Sequence, residues 1–173
     1  MAVVRGAVYA GLDPNTISAR VSRRAYGIKI EREFETGVDP ESMRVRLPSG
    51  DFCKNRFHPL ITKGRRVNIN SEIVLRLVIA NSTSSDSDIT IYSYNDNQSP
   101  PRYINDPRLK VLARIDPLNV FSPLDQHGIE KQATFKMFFG LSEIKAILEI
   151  DGVQYDTTLQ FDSMSLGSSY VRN

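Results

Sequence analysis

From residue 26 onward apolar and polar residues alternate with a period of two, the spacing of a strand that buries one face. YGIKIEREF alternates from Tyr26. SEIVLRLVIA sets Ile73, Leu75, Leu77 and Ile79 on one face and Val74, Arg76 and Val78 on the other, and DITIYSY places Ile89 and Ile91 together. LKVLARI from Leu109, ATFKMFF from Ala133, EIKAILEID from Glu143 and VQYDTTLQF from Val153 continue the pattern, all rich in the β-branched and aromatic residues that strands favour. Turn residues separate them: Lys63-Gly64, the polar run NSTSSDSD over 81–88, and Asp151-Gly152, a two-residue turn that closes an antiparallel hairpin. The pattern predicts a mainly β chain, an antiparallel β-sandwich of about eight strands.

Helix is confined to roughly the first 20 residues, as one or two short N-terminal helices. AVVRGAVYAG, residues 2–11, is small and apolar and ends at Gly11, a natural left-handed stop; Arg5 and Gly6 inside it make it a poor secretory signal. LDPNTISAR follows with Asp13 as cap and Pro14 at the first helical position. The tail over 163–173 reads as loose.

A chain of 173 residues can bury one sizeable core, and no stretch approaches the length of a membrane span. With 22 basic and 20 acidic residues the net charge is only +2, which gives no bulk electrostatic case for nucleic acid; the densest basic patch is Arg20, Arg23 and Arg24. Cys53, the only cysteine, cannot form an internal disulfide, in keeping with a cytoplasmic setting. Arg56 beside it could lower its pKa, but it reads as an inert half-buried thiol.

Neither His58 nor His127 has metal-ligand spacing with the cysteine or with the other. There is no glycine-rich phosphate loop and no GxSxG. Glu31 with Glu33 and Glu149 with Asp151 sit at strand spacing and read as solvated faces, while Tyr92, Tyr94 and Tyr103, with little positive charge beside them, suit a hydrophobic or rim role. These residues supply no catalytic group, metal site or cofactor site, and the chain is expected not to be an enzyme.

The order of segments resembles the C-terminal part of the heat shock 70 kDa protein family. AVVRGAVYAG is similar to the helix that closes the family's ATPase domain, RRAYGIKIE to the first strand of its substrate-binding sandwich, FHPLITKGRRVNI to the next strand and turn, and DITIYSYND and LKVLARIDPL to the two that follow. FKMFFGLSEIKAILEIDG resembles a later strand and hairpin, with Phe138, Phe139 and Gly140 in place of the family's acidic turn. RVSRRAYGI, the single cysteine before FHPLI, YINDPRLKVLARI and FGLSEIKA look most like the divergent heat shock 70 kDa protein 12 branch.

The resemblance spans residues 2 to about 161 and rests on many modest matches in one order. It implies residues 1–24 as a remnant of the last ATPase-domain helix plus linker and 25–162 as a peptide-binding-like sandwich. ATP and Mg belong to the absent upstream part of intact relatives.

The implied function is a chaperone-type module that holds extended hydrophobic segments of client proteins in a cleft, with Ile28 and Ile30 on the cleft strand, Ile79 where a pocket-lining aromatic would lie, and Ile89 and Ile91 as the aliphatic pair on the next strand. The same five residues would alternate inward in any sandwich. Partners would be client peptides or proteins and, in trans, an ATPase domain, with no nucleic acid and no membrane.

The loop after the first strand is expanded to EREFETGVDPESMRVRLPSGDFCKNR, in which MRVRLP reads as an added strand, and no helical lid follows Phe161. The rival reading is a structural or adaptor sandwich that binds a folded partner through this loop and the Arg20, Arg23, Arg24 patch, without general affinity for unfolded chains.

Overall fold

The computed structural model describes residues 19–47, 49–69, 71–80, 88–117, 130–140 and 143–160. They form eleven strands rather than eight: β1 (Ala19–Val21), β2 (Ala25–Glu33), β3 (Arg44–Leu47), β4 (Gly50–Ile61), β5 (Arg66–Asn68), β6 (Ser71–Ala80), β7 (Ile89–Tyr94), β8 (Lys110–Ile115), β9 (Glu130–Phe139), β10 (Glu143–Ile150) and β11 (Val153–Gln160). All paired neighbours are antiparallel. One sheet runs β3-β4-β2-β7-β8, a second β11-β10-β9-β6, and β1 pairs with β5 as a two-stranded ribbon.

The twofold patterns become faces as expected. Ile73, Leu75, Leu77 and Ile79 of β6 and Ala133, Phe135, Met137 and Phe139 of β9 meet Tyr26, Ile28, Ile61, Ile89 and Ile91 of the five-stranded sheet in one apolar core. The Asp151-Gly152 turn has positive φ at both residues, 51° and 81°, whose twist suits the tight hairpin between β10 and β11.

Three expectations need correction. The segment expected to be helical through Arg20 is extended at its end, because Ala19–Val21 pairs with Arg66–Asn68; the rest of the two expected helices, and the tail over 163–173, lie outside the described residues. The expanded loop is largely a hairpin, β3 with a twelve-residue β4, so Cys53 lies in a strand and not in a loop. Cys53 is also fully buried rather than half-buried.

β7 departs from simple alternation: all six of its residues are buried. Ile89 and Ile91 face the main core, while Tyr92 and Tyr94 lie on the opposite face beside Ala25, Gly27 and Phe57. That second face is covered by the segment 95–109. Phe57 N–H donates to the Arg102 carbonyl at 3.0 Å and Ile104 N–H to the Asn55 carbonyl at 2.9 Å. Arg108 donates to the Tyr94 hydroxyl at 3.2 Å, and the Phe57 and Tyr92 rings meet edge to face with centroids 6.5 Å apart. β2 accommodates the Phe57 ring because position 27 is glycine: a Cβ there would lie 2.6 Å from a ring carbon and against the His58 carbonyl.

Gly27→Ala is therefore expected to destabilise the fold by about 2 kcal/mol, as overpacking of a close-packed interior does. Urea unfolding followed by circular dichroism measures it; an unchanged midpoint would contradict this packing.

Candidate functional site

The five isoleucines assigned to a peptide cleft are brought together, and most are buried. Ile28 and Ile91 are directly paired and have 0% exposure. Ile30 lies two residues beyond Ile28 and Ile89 two residues before Ile91, so both sit toward one end of the β2–β7 pair. Ile79, the penultimate residue of β6, and Ile89, the first of β7, bracket the connection between those strands; each is 8% exposed, and Ile30 is only partly buried. Ile28 and Ile91 are thus a sealed pair, Ile79 and Ile89 are buried as well, and of the five Ile30 alone is only partly buried.

A second assembly is built around Asp39, a residue sequence reasoning passed over. Residues 35–39 form a closed turn: Asp39 N–H donates to the Glu35 carbonyl, and the Asp39 carboxylate accepts the Glu35 N–H, both at 2.9 Å. The Asp39 side chain is fully buried, and it also accepts from Arg56 at 3.0 Å, Arg102 Nε at 2.9 Å and the Tyr103 hydroxyl at 2.7 Å. Arg102 reaches Glu35 at 2.7 Å as well.

Tyr103 is hence a hydrogen-bonding strut and not a rim hydrophobe, and Arg56 is committed to Asp39 rather than to activating Cys53. Burial pushes the Cys53 thiol up, the Asp39 charge adds to that, and Arg56 only partly opposes it. Burial alone would raise the Asp39 pKa, but the hydrogen bonds from Arg102, the Glu35 amide and Tyr103, with the charge of Arg56, hold it far below the usual carboxylate range. His58 is not poised as a base: burial and Arg32, which donates to Nδ1 at 2.9 Å, both lower its pKa.

The third feature is the β1–β5 ribbon. Ser22 N–H donates to the Arg65 carbonyl and Gly64 N–H to the Ser22 carbonyl. This tie brings exposed Lys63, Arg65 and Arg66 into one ribbon with Arg20, Arg23 and Arg24, with Arg66 opposite the exposed Val21 and Arg20 opposite the buried Val67. No acidic residue interrupts either contributing segment, 19–30 or 54–71.

Among the described residues no group of His, Cys, Asp and Glu could hold a metal ion, and no helix is long and apolar enough to cross a membrane. The chain matches no family model and no curated protein.

Because the Asp39 pKa is depressed on folding, its contribution to stability is complete above the unfolded carboxylate pKa of about 4 and is lost as pH falls below it. Asp39→Asn is expected to cost about 3 kcal/mol at neutral pH, since Arg56 is left half-buried with its main partner neutralised. It should also flatten the acid limb of the stability profile. Urea midpoints between pH 2 and 7, taken for both proteins, check the size and the sign.

Proposed function

We propose that the chain is a peptide-binding module of the heat shock 70 kDa protein type, a β-sandwich that takes an extended aliphatic segment of a client at the Ile30, Ile79 and Ile89 end. One observation carries the reading: Ile30, which the family resemblance assigns to the cleft, is only partly buried and lies on β2 just beyond the sealed Ile28–Ile91 pair. An extended peptide presents alternate side chains to such a surface while its backbone remains available for hydrogen bonds. The two strands that carry four of the five assigned residues, β2 and β7, are direct neighbours.

The test is fluorescence anisotropy of a labelled Leu-rich peptide titrated with the whole chain and with Ile30→Asp. Ile30 is chosen because it is partly exposed, so that a carboxylate there stays hydrated and the fold is retained. Saturable binding near micromolar, about −8 kcal/mol, is expected, weakened at least tenfold in the variant. No binding by a folded chain would overturn the reading.

The basic ribbon favours a second reading, an adaptor that docks an acidic partner. A labelled Glu-rich peptide should then bind in low salt, lose affinity as ionic strength rises, and lose it outright with Arg65→Glu and Arg66→Glu together. These two exposed residues leave the isoleucine end untouched, so the two readings separate cleanly. Failure of the acidic peptide to bind at any salt concentration would remove the adaptor reading.

A further inference from the structure

We propose that the free edge of β6 is a self-recognition surface, through which two copies of the chain pair antiparallel about a two-fold axis at Val74 and join their four-stranded sheets. β6 ends the order β11-β10-β9-β6, and among the described residues no strand pairs with its outer edge. It is ten residues long, contains neither proline nor lysine, and keeps an unbroken register with β9 from Ser71 to Ala80. Natural edges are commonly blunted by shortness, by lysine or proline, or by bulges.

The chain's other edges are protected in those ways. β3 has four residues, two of them arginine; β8 carries Lys110 and Arg114 and a register shift against β7; β11 lies against β8. The length and regularity of β6 therefore single it out.

Its side chains choose the partner. Glu72, Val74, Arg76 and Val78 share the outward face, where the two valines are each 52% exposed. Within the chain Glu72 lies opposite Phe138 and Arg76 opposite Thr134, so neither charge has an oppositely charged neighbour across the ladder.

With the two-fold at Val74, Glu72 of each copy falls opposite Arg76 of the other and the two Val74 side chains meet. On the core side Ile73 of each copy falls opposite Leu75 of the other. Placing the axis at Glu72 or at Arg76 would set like charges opposite one another, and placing it at Ile73 or Leu75 would set a charge against a valine. One register alone satisfies both charges, which is what a strand addressed to its own copy requires.

Sedimentation equilibrium on the full chain, from about 1 to about 100 µM, reads the outcome. The wild type should approach twice the mass of one chain. Glu72→Arg and Arg76→Glu, each alone, should weaken the dimer about tenfold by setting like charges across the axis. The double variant should restore it, because the swap recreates both opposite-charge pairs. Both substitutions lie on an exposed face, and recovery in the double variant excludes misfolding as the cause of loss. A wild-type monomer throughout this range would overturn the proposal, as would a dimer that ignores the two charges or a double variant weaker than either single one.

Discussion

The absence of a side chain at Gly27 governs how the five-stranded sheet is built. A strand with a normal residue there would hold Phe57 away from β2, and the face formed by Ala25, Tyr92 and Tyr94 would lose its ring contact. With glycine in place the ring lies against the backbone, the segment 95–109 closes over it, and β7 and residues 25–28 of β2 are buried on both sides. One core is the interface of the two large sheets; the other lies beneath a covering segment. They share β2 and β7, so a change in the pairing of Gly27 with Tyr92 is felt by Ile28 and Ile91 on the other face.

Asp39 does for the polar groups what Gly27 does for the apolar ones. The covering segment brings Arg102 and Tyr103 toward β4, where Arg56 already points, and the two guanidinium groups would repel without a carboxylate between them. The closed turn over 35–39 places that carboxylate with its fourth donor, the Glu35 amide, preset. An ion cluster of this kind contributes less net stability than its bond count suggests, because every member was solvated before folding. Its stronger effect is on geometry: three stretches distant in sequence, 35–39, 56 and 102–103, acquire one permitted arrangement.

The sheet faces were legible because alternation is a local property. β6, β9 and the β10–β11 hairpin could be read residue by residue, and so could the Asp-Gly turn. What resisted reading was created by distant chain segments. The first part of β4, up to Arg56, read as a loop; in the structure Asp51 lies opposite Arg46 in the β3–β4 ladder, and Lys54 and Asn55 are absorbed at a register shift against β2 where Asn55 adopts φ 61°, a conformation asparagine tolerates. Tyr92 and Tyr94 gave no sign that Phe57 and Arg108, both distant in sequence, would lie against them. Asp39 carried no signal at all, being one acidic residue in a polar stretch. The basic ribbon was half visible: Arg20, Arg23 and Arg24 are adjacent in sequence, but only the pairing of β1 with β5 brings Arg65 and Arg66 to them.

The two ends of β6 divide the work that the molecule can do. The stretch addressed to a second copy is centred on Val74 and uses Glu72 and Arg76, while Ile79 lies beyond it, where the strand leaves toward β7. Self-pairing would use the strand's backbone edge and outward charges; the proposed peptide capture would use the inward isoleucine near its end. The two demands fall on different atoms of one strand, so satisfying either leaves the other intact. A dimer joined at Val74 would carry two isoleucine ends related by the same axis, and a client with two apolar segments would gain from the second site through effective concentration rather than from any new contact. Were the proposed site to bind with only about micromolar strength, the second site would be the physical route by which a weak module held an unfolded chain.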